Sequence, residues 1–452
     1  MARLALDRAP APALPRRFLL SAPLWGALAG VLLLASGEVA VVDRWSPVTL
    51  AAVHMLTLGM LGNVMFGALL QFLPVVAGVR IAGGPRAAYL LHALLNLGAA
   101  GLVAGFLGRW WDGVLMAAAV LALAFGCLAV MTLPGLWRAA GQALLRTGIA
   151  MAILAALVTA ALGIGMTVGL SGRAGLPLQP WADIHAGWGV LGWMLVLLAS
   201  VGRVTMPMFQ GTGSTSVRSQ ATWVLAVLMV LLPGSIHWVV DGEPGALRLG
   251  ATLLVTAFAL AGLWLQWRAP RKRGRPLLRS WRAGLLALLV APWLLGVGDG
   301  RLAGALAIAV GVPLLVIGMQ MEIVAFLGWI GLQRACPRAV IPHGVMAPSV
   351  QQLLPDADKG RVLAWHVAAC ALLIAAVAWP HDGLARLAGL ALLLAYGALW
   401  CALRRVGRRS DDFLSSHPFH PPASAPDRHS AAQPVNRDDR HAADQTHATN
   451  DA

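Results

Sequence analysis

The stretch VHMLTLGMLGNVMFGALLQFLPVVAG, residues 53–78, has a second version further along the chain, IHAGWGVLGWMLVLLASVGRVTMPMFQG, residues 184–211. Each version has a histidine near its start, His54 or His185, followed by an apolar run that contains several glycines and a late proline. A histidine in hydrocarbon is costly unless it is paired, so it marks a functional site by default. Glycine lets neighbouring membrane helices pack closely. The two stretches therefore predict two matched helices that carry a pair of functional histidines.

The composition places most of the chain in a lipid bilayer. Of the 452 residues, 58% are hydrophobic and only 12% are charged, whereas about 25% of the residues of a soluble protein are charged. The formal net charge is +15, which on its own would suggest a nucleic-acid partner. The arginines, however, fall in short connections between apolar runs, where they set membrane topology. We therefore expect the chain to contact lipid and not to bind nucleic acid.

Twelve apolar runs predict membrane-spanning helices, each of which needs about 20 residues to cross a bilayer. They cover residues 18–35, 48–76, 87–107, 113–136, 148–170, 182–206, 222–240, 247–267, 284–296, 303–332, 362–379 and 384–403. The sequence thus predicts an all-α polytopic membrane domain over residues 18–403. Low hydrophobicity and a polar composition predict a disordered basic N-terminus, residues 1–17, and a disordered cytoplasmic tail, residues 404–452.

The distribution of arginine predicts the orientation of the chain in the membrane. One set of connections carries arginine pairs and the densest basic run, RAPRKRGRPLLRSWR, residues 268–282. The opposite connections carry mostly single arginines, accompanied by acidic residues. Because basic connections stay in the cytoplasm, an even number of spans predicts that both termini are cytoplasmic.

This topology assigns a depth to each membrane histidine. His54, His185 and His237 are expected near the outer face, whereas His92 and His366 are expected near the inner ends of their spans. Imidazole suits haem iron, copper and zinc. His54 and His185 are therefore candidate cofactor and metal ligands, and His237 is a further candidate metal ligand. The alternative is that each imidazole only hydrogen-bonds to a neighbouring helix.

Glu322 is the one carboxylate that lies well inside a predicted span, in GMQMEIVAFLGWIGLQ, residues 318–333. It could relay protons, bind a cation or stay protonated against a neighbouring helix. Because an unpaired glutamate in hydrocarbon is expensive, we expect this side chain to have a partner.

The twelve-span layout and these motifs together resemble the catalytic subunit of haem–copper oxidases. The chain is more similar to a set of shorter, divergent bacterial membrane proteins related to that subunit, including the NnrS-type haem-and-copper proteins. The resemblance covers about residues 18–403. In the oxidase fold three arcs of four spans make spans two, six and ten near-equivalent, and here His54 and His185 open spans two and six. The resemblance implies an oxidase subunit I-like bundle in the bacterial inner membrane, with His54 matching a haem ligand and His185 matching a copper ligand.

The chain also departs from the oxidase pattern. An oxidase has a histidine pair on span seven, where this chain has only His237, and an H-x-H motif on span ten, where this chain has no histidine. The ligands of a binuclear oxygen-reducing centre are thus incomplete, which leaves open whether the protein is an enzyme. We expect haem or metal binding with a role in respiratory electron transfer, in nitric-oxide or copper response, or in oxidase assembly, with respiratory-chain proteins as partners. The alternatives are a proton-coupled transporter that uses Glu322 and the inner histidines, and a cofactor-free membrane scaffold.

Overall fold

The fold is a bundle of long helices, most of which are joined by short connections. The computed structural model describes residues 8–270, 275–336 and 346–416, and within these ranges every regular element is a helix. Twelve of the helices there are long and apolar enough to cross a membrane, which confirms the predicted all-α polytopic membrane class. In chain order they are α1 (Ala13–Ser36), α2 (Pro47–Val76), α3 (Gly84–Leu107), α4 (Trp111–Arg138), α5 (Ala143–Leu170), α6 (Leu178–Gln210), α7 (Val217–Asp241), α8 (Gly245–Trp267), α9 (Arg275–Gly296), α10 (Gly300–Ala335), α11 (Asp356–Ala378) and α12 (Asp382–Ser416).

The N-terminal boundary of the bundle differs from the sequence prediction. Helix α1 begins at Ala13, inside the stretch predicted to be disordered. The residues just before it are held by Arg334 at the end of α10, which donates hydrogen bonds to the carbonyls of Ala9 (2.6 Å) and Pro10 (3.0 Å). A contact with a helix more than 300 residues away therefore orders a segment whose own composition gives no structural signal. Residues 1–7 lie outside the described residues.

The C-terminal boundary also differs. Helix α12 continues through Ser416 instead of ending near residue 403. On this extension the guanidinium of Arg409 donates to the carboxylate of Asp358 on α11 (3.1 Å) and to the carbonyl of Leu353 (2.8 Å). The basic residues after the apolar run thus pair with the neighbouring helix and prolong α12. Residues 417–452, the rest of the predicted tail, lie outside the described residues.

Three of the spans form an inner layer. In the most apolar part of α2, α6 and α10, 83%, 61% and 67% of the residues are buried within the protein, against 28–56% in the other spans. Around them, consecutive outer helices pack side by side, and α12 packs against both α11 and α1 to close the ring. Every fourth helix, starting from α2, is therefore surrounded mostly by protein, while the outer helices present apolar side chains to lipid.

The three inner helices share a local irregularity. Each begins as an α-helix, continues as a π-helix for seven or eight residues, and returns to an α-helix. The π-helical segments are Met55–Gly62 in α2, Trp188–Leu195 in α6 and Ala305–Gly311 in α10. Such segments are rare in proteins and occur frequently at functional sites. In α2 and α6 a histidine lies in the turn that comes before the π-helical segment.

The ring closes through direct contact between the backbones of α1 and α12. A Cβ atom added to Gly389 would lie 2.3 Å from the backbone nitrogen of Leu34, and one added to Gly30 would lie 2.5 Å from the backbone nitrogen of Leu393. Small residues at facing positions are a common way for membrane helices to approach closely. These two glycines therefore set the distance between the first and last spans.

Candidate ligand site between two histidines

The imidazoles of His54 and His185 lie next to each other between α2 and α6. Their ring centres are 6.5 Å apart and the ring planes are inclined by 36°. Both side chains are half-buried, and both lie in the first part of their helix, before the π-helical segment. The structure thus brings together the two histidines that the matched sequence stretches single out.

Backbone carbonyls hold both imidazoles in the same way. Nδ1 of His54 donates to the carbonyl of Leu50 (2.7 Å), one turn earlier in α2, and Nδ1 of His185 donates to the carbonyl of Thr159 on α5 (3.0 Å). Because a carbonyl only accepts, Nδ1 carries the proton and Nε2 keeps its lone pair. Neither Nε2 takes part in a hydrogen bond with the described part of the chain. Metal-binding histidines are oriented in this manner, with the second ring nitrogen on a carbonyl or carboxylate.

Two residues on neighbouring helices shape the space around the pair. The ring of Phe106 at the end of α3 packs against that of His54, with the ring centres 5.3 Å apart. Gly163 on α5 lies against His185, so that a Cβ atom there would be 3.3 Å from Cε1 of the imidazole. The positions of both imidazoles therefore depend on α3 and α5 as well as on their own helices.

A small charge cluster ties together the ends of three helices beside the pair. The carboxylate of Asp183, two residues before His185 in α6, accepts a hydrogen bond of 2.5 Å from Arg44, which precedes α2. The same carboxylate lies 3.7 Å from the guanidinium of Arg248 in α8. Asp183 thus links the segments that carry the two histidines at the end of the bundle where they lie.

His237 does not join the pair. It lies near the end of α7, half-exposed, and its Nδ1 is 2.6 Å from a carboxylate oxygen of Asp241, one turn later in the same helix. Over the described ranges of the chain, no cluster of three or more His, Cys, Asp and Glu side chains is arranged to hold a metal ion. The protein donors at the candidate site are therefore the two imidazoles.

The two histidines predicted near the inner ends of the spans contact outer helices. Nε2 of His92 lies 3.0 Å from the hydroxyl oxygen of Ser21 on α1. His366 is fully enclosed, its Nδ1 donates to the carbonyl of Val362 (2.9 Å), and its ring meets that of Tyr396 on α12 edge-on at 4.9 Å. These contacts place one of them between α1 and α3 and the other between α11 and α12.

Glu322 has the partner that its depth in the bundle requires. Nζ of Lys359, in the first turn of α11, lies 2.7 Å from a carboxylate oxygen of Glu322 on α10. The two side chains are 3% and 8% exposed, so the ion pair is shielded from solvent. Lys359 comes just before the apolar run of residues 362–379, and a single lysine beside such a run gives no signal of burial.

A polar contact that was not predicted from the sequence joins α1, α2 and α3. The side-chain amides of Asn63 and Asn96 exchange two hydrogen bonds of 3.1 Å. The indole N–H of Trp25 also donates to Oδ1 of Asn96 (2.7 Å). Asn63 and Asn96 each lie in the middle of a predicted apolar run. Because an amide in hydrocarbon needs a partner, these two residues could have predicted the contact. This contact fixes the depth of α2 relative to its neighbours.

Comparison with known proteins supplies no function for this chain. No protein-family model matches it, and no curated protein is significantly similar to it. The functional conclusion therefore depends on the geometry of the two histidines and the residues around them.

Proposed function

We propose that this integral membrane protein binds one metal centre, a haem iron or a copper ion, between His54 and His185. The observation that carries the proposal is that both imidazoles are anchored through Nδ1, that their ring centres lie 6.5 Å apart, and that neither Nε2 bonds to the described part of the chain. The role that fits such a centre is respiratory electron transfer, a response to nitric oxide or copper, or assembly of a respiratory complex.

The distance between the imidazoles suits a shared ion. A histidine nitrogen binds a metal at about 2.0–2.1 Å, which puts each ring centre about 3 Å from the metal and two opposed ring centres about 6 Å apart. The observed separation is 6.5 Å. The separation of the two ring centres is therefore close to the distance expected for two imidazoles on one ion.

The donor set favours haem iron or copper over zinc. Structural zinc is almost always held by four ligands and catalytic zinc by three, whereas the site offers two neutral nitrogens and no third protein donor in the described chain. Haem iron receives four further nitrogens from its porphyrin, and copper is among the ions that imidazole suits. When bound, either centre would supply one-electron redox chemistry. The contribution of His54 and His185 would be to hold and orient it within the apolar bundle.

The two alternative functions fit the geometry less well. In a cofactor-free scaffold each imidazole would pack alone between helices, as His366 does with only its Nδ1 bonded. His54 and His185 differ from it because their two rings lie next to each other, 6.5 Å apart. A proton-coupled transporter would need Glu322 free to exchange protons or ions. That carboxylate already binds Lys359 at 2.7 Å and links α10 to α11, as a structural ion pair does.

The proposal includes a location in the bacterial inner membrane with both termini in the cytoplasm, as the distribution of arginine predicts. The histidine pair would then lie in the outer half of the bilayer. A fluorescent protein fused after residue 452 should fluoresce, and alkaline phosphatase fused within residues 171–176, after α5, should be active outside. The reverse pattern would contradict this orientation.

The optical spectrum and metal content of the purified protein test the proposal. The wild-type protein should carry either a haem with a Soret band or bound copper, and His54→Ala and His185→Ala should each lose it. His237→Ala is the matched control, because this histidine is half-exposed and already pairs with Asp241. A colourless, metal-free wild-type protein after expression with added haem and copper would refute the proposal, as would retention of the cofactor in both single variants.

A further inference from the structure

A cavity of about 230 Å³ lies between α6, α7, α8 and α9. Its lining runs from Leu198 to Met206 on α6 and from Ala257 to Leu265 on α8, which corresponds to a depth of about 12 Å at 1.5 Å per residue. The cavity is thus narrow and about two helical turns deep, a shape that matches a section of an extended hydrocarbon chain.

The deep part of the cavity is apolar and well fixed. Its walls include Trp223 of α7, Phe258 of α8 and Leu285 of α9. The rings of Trp223 and Phe258 lie 5.9 Å apart, and the indole N–H of Trp223 donates to the carbonyl of Leu254 (3.0 Å). Because the indole N–H is already bonded, Trp223 offers the cavity an apolar ring surface.

The mouth of the cavity carries a positive charge that the described part of the chain does not neutralise. Arg203 lines the mouth, and its Nη1 donates to the carbonyl of Thr215 (2.7 Å) and to Oε1 of Gln220 (3.2 Å). These bonds hold the guanidinium in place, yet no carboxylate of the described residues forms an ion pair with it. The exposed residues Ser214 and Ser219 line the same opening.

The surroundings of the mouth strengthen this positive character. Residues 184–240 and 244–298, which include all the walls, contain no aspartate or glutamate. In the wall, the buried indole N–H of Trp281 has no hydrogen-bond partner among the residues that the structure describes. The cavity therefore combines an apolar interior with one unpaired donor and a cation that no described carboxylate opposes.

We propose that this cavity binds one anionic phospholipid, with its phosphate at Arg203 and part of one acyl chain between Trp223, Phe258 and Leu285. Basic pockets between transmembrane helices bind anionic head groups on the cytoplasmic side of membranes, which is the side predicted for this end of the bundle. At about 230 Å³ the cavity is below the usual range of about 300–1,000 Å³ for ligand pockets. It therefore holds part of one chain, and the other chain stays in the bilayer. This site is separate from the histidine pair and does not depend on the function proposed for it.

Native mass spectrometry of the delipidated full-length protein tests the proposal, with phosphatidylglycerol and phosphatidylcholine of identical acyl chains as the two ligands. One phosphatidylglycerol per chain should bind about fivefold more tightly than phosphatidylcholine, because one arginine near a membrane surface contributes about this factor toward an anionic lipid. Arg203→Gln should abolish the preference, whereas Arg203→Lys should keep most of it. Ala261→Leu, which adds bulk to the cavity wall, should weaken the binding of both lipids.

Arg218→Gln is the matched control, because it removes an exposed arginine at the same end that does not line the cavity. It should leave the preference for phosphatidylglycerol unchanged, and each variant should elute as a monodisperse peak with the wild-type helical content. Equal binding of the two lipids to the wild-type protein would overturn the proposal. So would an equal loss of preference in Arg203→Gln and Arg218→Gln.

Discussion

The imidazoles of His54 and His185 lie 6.5 Å apart, centre to centre, although 131 positions separate them in the sequence. Each donates its Nδ1 proton to a backbone carbonyl, and each comes just before a π-helical segment of an inner helix. The two imidazoles are therefore held in a fixed orientation by the protein alone. A ligand that binds both of them would meet a preorganised pair, which lowers the entropic cost of binding.

Asp183→Asn is expected to weaken ligand binding at the histidine pair while leaving the fold intact. The substitution removes the ionic links from α6 to Arg44 and Arg248. Partly exposed pairs of this kind contribute about 0–1 kcal/mol to stability, so the melting temperature should fall by no more than about 2–4 °C. Cofactor content per chain and the melting temperature of the purified protein are the two measurements.

Asp112→Asn is the control for this substitution. It breaks a comparable pair, Arg173 with Asp112 at 2.7 Å, between α4 and the end of α5. The control should leave the cofactor content at the wild-type level. An equal loss in both variants would mean that the link between α2 and α6 has no special part in positioning the histidines.

Lys359→Met should strongly destabilise the protein. It leaves the carboxylate of Glu322 buried without its cation, and breaking one side of a buried ion pair costs about 3–5 kcal/mol. The double variant Lys359→Met with Glu322→Leu removes both charges and should recover most of the loss. The unfolding temperatures of the wild-type protein, the single variant and the double variant can be compared in detergent. A double variant as unstable as the single variant would show that the unpaired carboxylate of Glu322 is not the cause of the destabilisation.

Gly389→Ala should separate α1 from α12 and lower the unfolding temperature. The added methyl group would lie 2.3 Å from the backbone nitrogen of Leu34, which a rigid helix backbone cannot accommodate without moving. Overpacking of this kind costs about 1–3 kcal/mol. Gly397→Ala on the same helix is the control, because a Cβ atom there meets no atom within 4 Å. Equal unfolding temperatures for the two variants would show that the close approach does not stabilise the ring.

Local features of the sequence were enough to predict the class of fold. Most of the twelve apolar runs are about 20 residues long. Such a run specifies a spanning helix through its own composition, so these spans could be predicted without knowledge of their neighbours. The recurrence of a histidine and glycines in residues 53–78 and 184–211 identified the pair for a similar reason. In both stretches a polar imidazole is followed by glycines that allow close helix packing, and this pattern can be seen in the sequence alone.

Features that depend on partners distant in the sequence could not be predicted. The carbonyl of Thr159 and the close approach of Gly163 shape the site of His185, but both residues come from α5, whose sequence looks like that of any apolar helix. The burial of Lys359 follows from its contact with Glu322 on another helix. The π-helical segments likewise have no sequence signature of their own, since they differ from α-helix by one hydrogen-bond register.

The number of metal centres per chain is the most direct test of the central claim that His54 and His185 share one ligand. Iron, copper and haem should be measured against protein concentration in the wild-type protein, in His54→Ala and in His185→Ala. The shared site predicts one centre per chain in the wild-type protein and complete loss in each single variant. Two centres per chain, or a loss of only half in each variant, would show that the two imidazoles bind separate ligands, and no centre at all would contradict the site itself.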